Sequence, residues 1–135
     1  MYKYIRPATS FLSKLHPIRK MSSTSAPPKI EWLCILPDQE GARERRLATR
    51  PRHFEGIGAL VNSGFLTMGG ALLNEPPKDG NPQNFDFSGS VVVATGETKE
   101  EVIEKLKQDP YTTENVWDWE KAQIIPFLCA VRQAK

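Results

Sequence analysis

Apolar side chains come in short blocks divided by proline, glycine and charge. Ile30 to Leu36 (IEWLCIL) is an apolar run closed by Pro37, and its length suits a strand. Asp38 to Arg50 is charged and irregular, with arginine at 43, 45 and 46. Arg50-Pro51 then opens a helix, because proline fits the first helical position and pushes its predecessor out of the α region. Phe54, Ile57 and Val61 fall at i, i+3 and i+7 of that helix, a spacing that predicts a stripe facing the core. Asn62-Ser63-Gly64 ends it, with Gly64 as the left-handed cap. Phe65 to Leu73 reads as a second strand, interrupted by Gly69-Gly70. Asn74 to Asn84 holds three prolines and a glycine and reads as a loop.

Phe87 to Thr95 (FSGSVVVAT) is a third strand, rich in valine at its end. Thr98-Lys99-Glu100-Glu101 is a capping box, with Thr98 as N-cap and Glu101 placed to bond back. The helix it starts turns Val102, Ile103 and Leu106 inward and must stop at Asp109, because Pro110 follows. A last strand is expected over Ala122 to Val131. The order β-α-β-β-α-β predicts an α+β, ferredoxin-like antiparallel sheet with both helices on one face. No third helix is available to cover the other face. A second copy of the chain is the economical cover, so a homodimer is expected.

Charge changes the picture at the N-terminus. Residues 1–30 hold six basic side chains and no acid, while the other 105 residues hold 12 basic and 16 acidic ones. The mildly acidic body argues against a nucleic-acid partner, which needs clustered Lys and Arg on the folded part. Residues 1–29 are free of Asp and Glu, carry Ser10, Ser13, Ser22, Ser23, Thr24 and Ser25, and have the composition of an organellar presequence. The expectation is a mitochondrial targeting tail, or else a disordered one, and a linker, followed by one domain over residues 30–135. If translation starts at Met21, the protein is expected in the cytoplasm instead. No apolar run approaches the roughly 18 residues of a membrane span. Cys34 and Cys129 both lie in apolar runs and read as buried small hydrophobes. With no CxxC pair, and His16 and His53 as the two histidines, no metal site is expected.

His53 is the domain's single histidine, one turn before Ile57 on the edge of the expected stripe. Imidazole changes charge near neutral pH and serves as acid or base; the alternative is a core histidine bonded to a backbone carbonyl. Arg50 lies one turn earlier on the same face, where a cation suits an anionic substrate group or simply a solvated helix start. Asp109 is expected at a helix C-terminus, where the macrodipole disfavours a carboxylate. It either starts an Asp-Pro turn or reaches His53 and fixes its tautomer, as a triad acid does. Gly69-Gly70 in mid-strand suggests a bulge or a close backbone approach by a ligand. Gly56 and Gly58 form GxG inside a helix and are no nucleotide fingerprint. Trp117 and Trp119 read as sheet and interface packing.

Together these residues resemble a family. Arg50-Pro51-Arg52-His53, then Gly64-Phe65-Leu66 and Gly69-Gly70, is similar to the RPxH…G.L…GG pattern of YciI-like (YCII-related) proteins. Gly89-Ser90, Asp109-Pro110-Tyr111 and Pro126-Phe127 resemble that family's GS, DPY and PF positions in the same order. The resemblance spans about residues 30–132. It implies a dimeric α+β barrel with a His–Asp pair in a cleft, roles that fall on His53 and Asp109. Arg50, Gly69, Gly70 and Ser90 would contact a small, anionic ligand. The implied function is a small cofactor-independent enzyme of lyase, isomerase or dehalogenase type acting on a cyclic or aromatic acid. The alternative is a non-catalytic ligand-binding or stress-associated dimeric module. The long loop Asn74–Asn84 departs from the family pattern.

Overall fold

A computed structural model describes residues 28–135; the targeting expectation for residues 1–29 lies almost wholly outside them. The described residues run β1 (Ile30–Pro37), α1 (Arg43–Asn62), β2 (Leu66–Leu73), β3 (Phe87–Gly96), α2 (Lys99–Leu106), α3 (Pro110–Thr113) and β4 (Gln123–Phe127), with a 3₁₀ turn at Pro82–Asn84. The strands form one antiparallel sheet in the order β2-β3-β1-β4. This is the expected α+β architecture. Trp32, Cys34 and Leu36 alternate onto one face of β1, beside Val92 and Ala94 of β3 and Ile124 of β4. Val102, Leu106, Tyr111 and Trp117 close over them to make the core. The opposite face carries Leu33, Ile35 and Val91, all half-buried, and the exposed Ile125.

β1 and β3 pack closely enough to dictate one residue. A Cβ on Gly89 would stand 2.5 Å from the Leu36 carbonyl oxygen and 2.9 Å from Pro37 Cα, so only glycine fits. Thr98 caps α2 as expected, its Oγ1 accepting from Glu101 N–H at 3.1 Å. Glu101 bonds back one residue further than the usual box, accepting from Glu97 N–H at 2.9 Å. Gly64 takes the left-handed conformation after α1, φ 79°.

Several boundaries move. α1 begins at Arg43, so Pro51 stands inside it and not at its start. The two extra turns are held by tertiary contacts, since Arg46 and Thr49 are the buried residues of this helix. The Phe54, Ile57, Val61 stripe is not core: Phe54 and Val61 are 54% and 52% exposed. α1 stands off the β2 end of the sheet, and its stripe faces a cavity. α2 stops at Leu106, three residues early, and Asp109 begins the next helical turn. β4 ends at Phe127, leaving Cys129 half-buried beyond it, while Cys34 is fully buried. Gly69-Gly70 is no bulge: the register shifts lie on either side, at Leu66/Met68 and Leu72/Leu73. Among the described residues no helix is long and apolar enough to cross a membrane.

Candidate active site

Between α1 and the β2–β3 half of the sheet lies a cavity of about 990 Å³. α1 supplies Arg46, Arg50 and His53 to its polar end, and the α2–α3 junction supplies Asp109 and Tyr111. His53 and Asp109, 56 positions apart, are in contact. Nδ1 of the imidazole lies 2.8 Å from both carboxylate oxygens. A carboxylate can only accept, so Nδ1 carries the proton and donates, which leaves the lone pair of the neutral ring on Nε2. Nε2 has no hydrogen-bond partner among the described residues, and His53 lines the cavity with 13% of its side chain exposed.

Asp109 is held by its own helix turn. It is the N-cap of α3, and its Oδ1 also accepts from Tyr111 N–H at 2.8 Å. The carboxylate therefore sits at a helix start, where orphan N–H groups favour it, and not at the helix end that the pattern suggested. The Tyr111 ring stacks on His53 with centroids 4.0 Å apart and planes 20° apart, while Trp117 meets the imidazole edge-on at 6.0 Å. Ring orientation is thus fixed by packing as well as by the hydrogen bond to Asp109.

Behind the pair lies a buried polar network. Arg46, 3% exposed, donates to Asp38 at 2.7 Å and to Ser90 Oγ at 2.9 Å. Trp117 Nε1 donates to the same Ser90 oxygen at 3.1 Å. The Arg46 guanidinium lies 4.7 Å from the Tyr111 ring centroid and 4.8 Å from that of Phe87. Burial pushes the Asp38 carboxyl above its ordinary range, against the opposing pull of Arg46. Burial likewise raises the Tyr111 phenol.

The structure brings His53, Asp109, Arg50, Gly69, Gly70 and Ser90 to one cavity. They are not equivalent. Arg50 lies over the Phe54 ring at 4.6 Å and makes no ion pair among the described residues, so its charge is available to a ligand. Ser90 is 4% exposed and its oxygen is already committed to Arg46 and Trp117. Gly69 pairs with Val92 and faces the cavity, whereas Gly70 pairs with Val91 on the other face and meets the cavity only at the strand edge. The pattern missed Arg46, Tyr111 and Trp117 as parts of the site. Arg46, Arg50, His53 and Ile57 fall at i, i+4, i+7 and i+11, so extending the stripe backwards through Pro51 would have found Arg46.

The profile of the YCII-related domain matches residues 30–128. The chain belongs to that family. It is 38% identical to aspercryptin biosynthesis cluster protein B of Emericella nidulans over 103 residues, 76% of this chain and 65% of the relative. It thus spans less than two thirds of that protein. Xenovulene A biosynthesis cluster protein asL2 of Sarocladium schorii is 31% identical over 112 residues, 80% of this chain and 97% of the relative. Among solved structures, the fold is similar to 5-chloro-2-hydroxyhydroquinone dehydrochlorinase of Burkholderia phenoliruptrix in complex with 2,5-dihydroxybenzoquinone, with a TM-score of 0.62 and 18% identity over 73% of this chain and 94% of that one. At that identity the likeness is one of fold. In the present chain the fold assembles a tautomer-fixed imidazole, a guanidinium with no ion pair among the described residues, and an apolar cavity wall.

Proposed function

We propose that the protein is a small cofactor-independent acid/base enzyme acting on a cyclic or aromatic acid, of the lyase, isomerase or dehalogenase type. The observation that carries this reading is the His53–Asp109 contact at the rim of a large, mostly apolar cavity. Nε2 of His53 takes a proton from the substrate and returns it. Asp109 orients the ring and stabilises the imidazolium that forms, and Arg50 meets the negative charge that develops on the substrate oxygen. The dehydrochlorinase of similar fold, with a dihydroxybenzoquinone in its complex, supports a ring-shaped oxygenated substrate. The relatives in biosynthesis clusters support a task on small organic intermediates. We further propose a homodimer closed through the half-exposed sheet face of Leu33, Ile35, Val91 and Ile125.

A non-catalytic binding module using the same cavity is the rival. Mass spectrometry of small molecules retained by the wild type but not by His53→Ala identifies the ligand, and incubation of that ligand with fresh protein tests turnover. A product that forms with the wild type and not with His53→Ala supports the enzyme. A ligand recovered unchanged from both incubations favours the binding module.

A further inference from the structure

The polar end just described uses only part of the cavity. Its remaining wall runs from His53 along α1 through Ile57 and Leu60 to Val61, and faces Leu66, Gly69 and Ala71 on β2. Eight residues of helix separate His53 from Val61, or about 12 Å at 1.5 Å per residue. That is more than one small ring occupies, and about 990 Å³ is at the upper end of the roughly 300–1,000 Å³ of clefts that enclose a whole drug-sized ligand.

Two further observations give this long arm a chemical character. It is apolar where it is open: Phe54 and Val61 line it and are more than half exposed, and Lys105 at its far end is already paired with Glu101 and lies over Phe65. Its floor is also kept low without a backbone reason. Gly69 has no positive φ, and a Cβ there would make only an ordinary contact with Val92 Cγ1 at 3.5 Å. Nothing in the fold itself demands glycine at that position, whereas any larger side chain would project between α1 and β2.

Resting on the acid/base reading of the polar end, we infer that the substrate is an elongated amphipathic anion. Its oxygenated ring or acid head sits at Arg50 and His53, and an alkyl chain or second hydrophobic ring lies along α1 over Gly69. Gly69 and Val61 then set the length of tail accepted.

The test uses 4-alkylbenzoates, from methyl to octyl, titrated into the full-length protein by calorimetry. Affinity is expected to rise roughly three- to four-fold per added methylene until the groove is filled. Arg50→Gln should lower the whole series in parallel. Gly69→Leu should remove the dependence on chain length whatever its effect on the shortest member. Val61→Glu, at an exposed helix position where folding is safe, should weaken the octyl compound most. A flat series with binding still sensitive to Arg50 overturns the long-tail inference and leaves the polar site standing; it is also the result expected if a second copy or the N-terminal segment fills the groove. Length-dependent binding indifferent to Arg50 removes the anionic head, and with it both the inference and the reading beneath it.

Discussion

Asp109 carries two duties on one carboxylate, capping α3 through Tyr111 N–H and accepting from His53. Its substitutions should therefore separate. Asparagine keeps an N-cap acceptor, whereas Asp109→Ala should cost about 1 kcal/mol of stability as the cap is lost. In any turnover found, His53→Ala should cost on the order of 10²–10⁴ in rate, and Asp109→Asn only part of that. The double variant should be little worse than His53→Ala, because the two side chains act as one unit. Additive losses would mean separate roles. A second residue makes a pH prediction. Burial pushes the Cys34 thiol up to about 12 from an ordinary 9.0. The folded state thus keeps its proton where the unfolded chain releases it, so this stabilisation is complete below pH 9.0 and lost towards pH 12. Thermal melts should show wild type losing more stability over that window than Cys34→Ala. Equal losses would show the thiol contributes nothing.

At the scale of elements, what was legible was what local physics decides. β1 and β3 announced themselves as apolar runs, and the α2 start was written in Thr98 and Glu101. The start of α1 is not legible because Pro51 argues locally for a helix start, while the buried Arg46–Asp38 pair, visible only in three dimensions, holds the helix together upstream. Its apolar stripe is legible as a stripe but not as a cavity wall, since periodicity distinguishes a buried face from a cavity wall no better than it distinguishes a neighbour from a ligand. The pattern puts Asp109 at a helix end and not at a helix start because it carries no sign of the break at Lys107. The His53–Asp109 pairing itself came from family resemblance, not from spacing. Gly89 tests the close β1–β3 approach. Gly89→Ala should lower stability by about 1–3 kcal/mol, as overpacking does, with a matching fall in the urea midpoint. An unchanged midpoint would mean the strands separate freely there.

For the whole molecule, the sheet face opposite the helices carries the half-buried Leu33, Ile35 and Val91 and the exposed Ile125, the face through which the dimer is proposed. Sedimentation of residues 28–135 at micromolar concentration should give a dimer, and Ile125→Lys on the exposed edge strand should shift it to monomer without unfolding. A wild-type monomer that binds no hydrophobic dye would remove the barrel.

The most direct test of the proposed chemistry needs no substrate. Long-range ¹H–¹⁵N NMR of the neutral imidazole reads which nitrogen carries the proton. Wild type should show the proton on Nδ1 of His53, with Nε2 bare towards the cavity, and Asp109→Ala should lose that preference. A wild-type ring protonated on Nε2 would contradict the assignment of His53 as the base.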